Sequence, residues 1–328
     1  MMNTPSQLPA SAYLRELNEA AAFARHAKAD ATVLAYARDF KDFERYCAVR
    51  MLCKLPAKPE TIAAYLASLV TRLKLVSMRR HLVAISQEHK HHGFSTPTAH
   101  PLVRAVLMGI ARNSDVQVRS RPIKKTALTT DRLRVLVNAI GTTSLRDLRD
   151  RAVVLVGWAA ALRRSELAAL DVDDLTFAPR GVTINLRVSK TDPYGHGCAI
   201  DLPYIDDSIL CPVTALTRWI EAASIANGPL FRTFARGDAM RANRIAPIDV
   251  ARCLKRAASA GELFGDYSGH SLRRGYITSA IQSGALAHDI MRRTRHTSHA
   301  VFEGYIEEAL PFARDPLSRM LSGSAIGD

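Results

Sequence analysis

The chain has 328 residues, 48% of them hydrophobic, and a formal net charge of +14, enough material for two cores, since single domains commonly run about 100 to 200 residues. No apolar run approaches the ~20 residues of a membrane span, and Met1-Met2-Asn3-Thr4-Pro5 lacks the apolar stretch of a secretory signal, so a cytoplasmic protein without a membrane partner is expected. The surplus of Lys and Arg calls for a polyanion such as nucleic acid, because cations placed on phosphate gain affinity by releasing counterions.

Residues 31 to 48 place Tyr36, Phe40, Phe43 and Cys47 at i, i+4, i+7 and i+11, with Arg38, Lys41, Asp42 and Arg45 between them. This is the stripe of an amphipathic helix. After Pro59, the set Ile62, Tyr65, Leu66 and Leu69 predicts a helix over 60–70, and 77–88 and 101–112 read the same way. An all-helical domain over 12–112 follows. From Asn113 to Ala127 the apolar period stops, and Arg119, Arg121, Lys124 and Lys125 surround Pro122. The expectation is an extended basic linker over 113–127 whose four cations touch a nucleic-acid backbone.

A second domain over 128–310 opens with Thr129-Thr130-Asp131 as an N-cap candidate before a helix over 132–140. Another helix starts near Leu145 and carries Val153 to Ala161 toward Arg163. Alternation over 182–188 and 199–204 predicts two strands flanking a turn at 190–197, a small antiparallel sheet amid helices. Helices follow from Pro212 through Ala223 and over 247–260. The tail, 311–328, holds one short helical stretch, 316–321, bounded by Gly323. Cys47, Cys53, Cys198, Cys211 and Cys253 form an odd set without Cys-x-x-Cys, which points to reduced packing residues rather than a disulfide framework or a zinc site.

Chemistry concentrates in the second domain. Gly269-His270-Ser271-Leu272-Arg273-Arg274-Gly275 is followed by Arg295-His296 and, nine residues after that histidine, by Tyr305. Upstream stand Ala161-Leu162-Arg163-Arg164-Ser165-Glu166-Leu167 and Ser189-Lys190-Thr191-Asp192. Singly, these residues read as ordinary surface or packing groups; their order and spacing together do not. Over 127–310 the chain resembles the tyrosine recombinase (phage integrase) family, whose members carry an arginine motif, a lysine-bearing turn, His-x-x-Arg, Gly-His and a nucleophilic tyrosine. Two positions depart from that pattern: Arg295 replaces the usual glycine before the histidine, and Ala161 the frequent glycine two before the first arginine.

A phosphodiester resists attack because negative charge builds on its nonbridging oxygens as phosphorus becomes five-coordinate. With no carboxylate cluster at metal-ligand spacing, Arg163 and Arg273 are the candidates to neutralise that charge. A guanidinium suits the task, since it stays charged and presents a planar fork to phosphate. Tyr305, a phenol with an ordinary pKa near ~10, needs a base or a positive field to attack. By resemblance, His270 assists that proton transfer, Lys190 protonates the departing 5′-oxygen, His296 donates to a nonbridging oxygen, and Glu166 supports the site.

The resemblance implies a mainly helical fold: a core-binding (SAM-like) N-terminal domain, then a mixed α+β catalytic domain bearing a small antiparallel sheet. It further implies a 3′-phosphotyrosyl intermediate on double-stranded DNA, a homotetramer on two recombining sites, a tail docked on a neighbouring protomer, help from accessory DNA-binding proteins, and no cofactor or metal. The direction of reaction, whether integration, excision or resolution, is open, with a mobile element as the expected context. Two rivals share parts of the pattern: a type IB topoisomerase-like relaxing enzyme and a catalytically idle DNA-binding regulator.

Overall fold

The structure is a computed structural model that describes residues 10–26, 30–121, 124–187, 197–296 and 298–310. It divides into two compact units, Met1–Ile123 and Lys124–Asp328.

The first unit is helical throughout its described length: α1 (Ala10–His26), α2 (Asp30–Val49), α3 (Pro59–Leu69), α4 (Leu75–His91), α5 (Pro101–Arg112) and α6 (Ser114–Ser120). The stripe on α2 buries Phe40, Phe43 and Cys47 against Ile62, Tyr65, Leu66 and Leu69 of α3 and Met78, Leu82 and Ile85 of α4. Pro59 opens α3 at a position where a missing N–H costs nothing. Within this core the buried Tyr65 hydroxyl meets His81 Nδ1 at 2.8 Å, and Arg80 makes a two-pronged contact with buried Asp39. The buried Tyr65, His81 and Asp39 therefore each have a polar partner.

The expected extended linker is corrected here. Asn113 Oδ1 accepts the Val116 N–H at 3.1 Å, starting α6, and Val116 is fully buried in the first core. Ser120 Oγ in turn accepts the Leu75 N–H at 3.0 Å, at the start of α4. One apolar anchor in a seven-residue helix leaves no period to read, which is why the sequence pattern looked structureless. Helix α1 lies almost wholly within the expected all-helical domain, in a stretch where no individual helix was named.

The second unit orders α7 (Thr130–Ala139), α8 (Leu145–Ala159), α9 (Arg164–Ala169), β1 (Leu175–Ala178), β2 (Gly181–Leu186), β3 (Cys198–Pro203), α10 (Pro212–Ala222), β4 (Arg232–Phe234), β5 (Met240–Arg244), α11 (Pro247–Ala260), α12 (Gly269–Gln282), α13 (Ala287–Thr294) and α14 (His299–Ala309). Helix α8, nearly continuous in apolar residues after Arg151, is buried between α10 and α12. Antiparallel β1-β2-β3 sets Ile184 opposite Ile200 and Val182 opposite Leu202, so one face of the sheet enters the core. Strands β1, β4 and β5 were not anticipated; β1 has one half-buried residue among its four, too little alternation to register.

Thr129 does precede α7, but its side chain makes no capping bond; Ser279 Oγ accepts the Thr130 N–H instead, at 2.9 Å. A β-carbon on Gly275 would lie 1.9 Å from the carbonyl oxygen of Leu128, so only glycine there lets the chain entering this unit lie directly on α12. The helix expected over 316–321 falls outside the described residues. No helix among the described residues is long and apolar enough to cross a membrane.

Candidate active site

Two helices of the second unit end in the same way, and each end delivers a site residue. At the close of α8, Ala161 takes the left-handed conformation (φ 48°) and the Leu162 N–H reaches back to the Gly157 carbonyl at 3.1 Å. At the close of α13, Arg295 is left-handed (φ 57°) and the His296 N–H reaches the Met291 carbonyl at 3.1 Å. Both are six-to-one closures of the kind that glycine favours. The two positions that depart from the family pattern therefore still adopt the backbone conformation a glycine would take easily, and the chain turns there to present Arg163 and His296.

The N–H of Arg163 and its Nη1 both donate to Glu166, at 2.8 and 2.7 Å. A second guanidinium, Arg295, donates to the same carboxylate at 2.7 Å. Burial works against ionisation of Glu166, but Arg295 first, and then the hydrogen bonds and charge of Arg163, hold its carboxyl below the ordinary range.

From α12, His270 and Arg273 project one turn apart on the same face. Arg273 is buried and donates to the carbonyl of left-handed Ala161 at 3.1 Å. Burial, then the neighbouring charges of Arg163 and Arg295, lower its pKa to about 10, so it remains a cation at neutral pH. It also points Nη2 at His296 Nε2, 3.4 Å away.

Since a guanidinium only donates, His296 Nε2 is an acceptor in this arrangement. Its proton then sits on Nδ1, which faces Thr294 Oγ at 2.7 Å, while the Thr294 hydroxyl donates to the Ile290 carbonyl at 2.7 Å. The tautomer is assigned from these partners. Burial and the charges of Arg273 and Arg163 push the His296 pKa down to about 4, which agrees with a neutral ring.

Tyr305 is carried by α14, whose Phe302, Ile306 and Ala309 bury against Ile277 and Ile281 of α12 and Ile290 and Met291 of α13. Half-buried at the edge of that face, the tyrosine sets its hydroxyl 3.4 Å from His270 Nε2 and its ring 5.7 Å from that of His296. Dehydration and then the charges of Arg273, Arg274 and Arg163 hold His270 below its ordinary value; because the residue is exposed overall, the three guanidiniums are the firmer cause. Helix α14 is held further by Glu308, which pairs with Arg274 at 2.6 Å and with Lys124 at 3.2 Å.

Of the residues singled out from sequence, Arg163, Glu166, Arg273 and His296 converge in one cluster, which His270 and Tyr305 join. Lys190 lies outside the described residues, between β2 and β3. The four basic residues of 113–127 do not act alike. Arg119 donates to the Val70 carbonyl, Arg121 is exposed, Lys124 pairs with Glu308, and Lys125 pairs with Asp266. Sequence reading missed Thr294, Glu308 and the side-chain part played by Arg295. Only Arg295 left a trace, as a large cation where glycine is usual.

A tyrosine, two histidines and three guanidiniums gather in one cluster of the second unit, with no group of metal-binding side chains among the described residues. The profile described as the phage integrase family matches residues 126–310, more than half of the chain, and the chain belongs to that family: it is a tyrosine-type site-specific recombinase. It is 38% identical over 297 residues to an integrase/recombinase XerD homolog of Selenomonas ruminantium, a match covering 89% of this chain and 86% of the other. It is 27% identical over 288 residues to the tyrosine recombinase XerC of Myxococcus xanthus, covering 84% and 86%. The fold is similar to a crystal structure of lambda integrase bound to DNA, with a TM-score of 0.59 at 18% identity, spanning 92% of this chain and 96% of that one.

Proposed function

We propose that the chain cleaves duplex DNA by attack of Tyr305 on a scissile phosphate, giving a 3′-phosphotyrosyl bond and a free 5′-hydroxyl. The observation that carries this reading is the placement of the Tyr305 hydroxyl 3.4 Å from His270 Nε2, with its ring beside that of His296, which Arg273 also meets. His270 takes the phenolic proton, the tyrosine oxygen bonds to phosphorus, and the bond from phosphorus to the 5′-oxygen breaks as Lys190 supplies a proton. Arg163 and Arg273 hold the nonbridging oxygens as charge builds on them. His296 joins them once a phosphate oxygen takes the place of Nε2 as the acceptor for Arg273, with the proton then carried on Nε2. The ester conserves the energy of the broken bond, so a different 5′-hydroxyl reverses the step without a nucleotide cofactor.

On this reading four copies act on two recombining sites, exchanging one pair of strands and then the other. A lambda integrase tetramer bound to a Holliday junction has a related fold, with a TM-score of 0.55, and supports that assembly. The domain that precedes the catalytic unit grips the duplex as a core-binding module, Arg119, Arg121, Lys124 and Lys125 add backbone contacts, and the tail beyond 310 docks on a neighbouring copy. Accessory DNA-binding proteins, a mobile element as host and action in the cytoplasm complete the proposal.

The test begins with selection of a bound site from randomised duplex DNA, which is then nicked near the cleavage point so that religation is lost. The wild-type chain should accumulate a covalent 3′ adduct on that duplex, and Tyr305→Phe should bind it and form none. Adduct formation by the phenylalanine variant at undiminished yield would remove Tyr305 from the role.

A further inference from the structure

The left-handed residue that closes α13 is an arginine whose side chain turns back into the site. At φ 57° and ψ 45° a β-carbon is disfavoured relative to glycine, and the side chain is only 9% exposed, with its charge felt by Arg273 alongside that of Arg163. Its Nε is buried without a hydrogen-bond partner. Strain, dehydration and like charge all oppose this placement, so a specific interaction must offset them.

That interaction is with Glu166. Arg295 Nη2 lies 2.7 Å from Oε2, the same oxygen that accepts the Arg163 N–H at 2.8 Å, while Oε1 takes Arg163 Nη1 at 2.7 Å. One carboxylate, its side chain 3% exposed, thus serves two guanidiniums. Alone with Glu166, Arg163 would belong to an ion pair of no net charge, and an anion in contact with it would blunt its pull on phosphate. With Arg295 the trio carries a single positive charge, and Arg273 brings the site to two.

We propose that Arg295 is a positioning residue for strand cleavage, which orients and neutralises Glu166 so that Arg163 meets the scissile phosphate with its charge undiminished. This rests on the recombinase reading of the site and gives the departure from glycine a function in this chain.

The experiment compares wild type, Arg295→Gly, Arg295→Lys and the double variant Glu166→Gln/Arg295→Gly for single-turnover adduct formation on the selected nicked duplex, with affinity for the same duplex measured separately. Glycine suits the backbone, so Arg295→Gly should fold and bind as wild type does while cleaving about tenfold to a hundredfold more slowly, the scale of losing one electrostatic group. Lysine should restore part of the rate. The double variant should recover most of the loss, because removing the anion returns the net charge of Arg163; a purely structural part for Arg295 produces no such recovery. Undiminished cleavage by Arg295→Gly, or a double variant no faster than it, would overturn the proposal. A second measurement needs no DNA: the Glu166 carboxyl carbon, followed by NMR, should titrate at higher pH in Arg295→Gly than in wild type. An unmoved titration overturns the pairing, whereas failure of the wild-type chain to form an adduct would count against the recombinase reading and leave this titration to decide the ion pair.

Discussion

The hydroxyl of Tyr305 on α14 lies 3.4 Å from Nε2 of His270 on α12 of the same chain. The proposed nucleophile and base are brought together within one subunit by the apolar seam of α12, α13 and α14. Cleavage should therefore occur in cis. Mixing Tyr305→Phe, which forms no adduct alone, with Arg273→Ala, slowed by about two orders of magnitude, should give no more adduct on the nicked duplex than the sum of the two. Substantial activity in the mixture would show that α14 is exchanged between subunits when DNA is bound.

The same pair sets a pH dependence. Loss of the base occurs on protonation, and dehydration together with Arg273, Arg274 and Arg163 holds the His270 pKa below the usual ~6.5. The base is thus neutral at pH 7, and the acid limb of single-turnover cleavage should fall below the ordinary histidine value. His270→Gln should cleave slowly and lose that limb. A wild-type limb centred above ~6.5 would mean that bound phosphate, or another group, governs the titration.

On the proposed mechanism Arg163 and Arg273 face charge that grows only during reaction, so their removal should act on rate more than on affinity. Loss of one such donor typically costs about 3 kcal/mol, or about two orders of magnitude. Arg163→Ala and Arg273→Ala should reduce single-turnover cleavage on that scale at saturating DNA, with little change in affinity. Arg273→Lys should fall short of wild type, since lysine cannot both hold the Ala161 carbonyl and present a fork. A variant that lost affinity yet kept its rate would make that arginine a binding group.

Lys190 is tested by replacing the scissile 5′-bridging oxygen with sulfur, a leaving group that departs without protonation. Lys190→Ala should cleave the sulfur substrate nearly as fast as wild type and fail on normal DNA. Equal impairment on both would assign the lysine to phosphate positioning.

Neutralising Arg119, Arg121, Lys124 and Lys125 together should weaken binding to selected and unrelated duplexes by similar factors. The structure narrows the expected size of the effect. Lys124 and Lys125 are in ion pairs on the protein surface, which are worth about 0 to 1 kcal/mol and yield readily to phosphate, while Arg119 holds the Val70 carbonyl. The slope of log affinity against log salt should therefore flatten by about 1 unit for Arg121 alone, and by up to about 3 to 4 units if the others exchange their partners for phosphate. An unchanged slope in the quadruple variant would leave this segment without a part in DNA binding.

Much of this was legible in the residues because the information was local. The stripe on α2, the proline-led starts of α3, α5, α10 and α11, and the alternation in β2 and β3 each depend on near neighbours in the chain. Helix α6 was not legible, since its only deep anchor, Val116, is defined by a core contributed by α2, α3, α4 and α5. Nor was β1, which gains its place by pairing with β2 along Leu175 to Ala178.

The motifs around Arg163, His270, Arg273, His296 and Tyr305 pointed to the chemistry from sequence alone, because their order and spacing along the chain match the tyrosine recombinase pattern. What the sequence could not contain was their meeting in space, or the contacts made by side chains of no recognised motif. Thr294 Oγ faces Nδ1 of His296, Glu308 ties the tyrosine helix to Arg274, and Arg295 shares Glu166 with Arg163 from 129 residues away in the chain. The last two are ion pairs between groups that come within reach only after apolar packing has placed the helices.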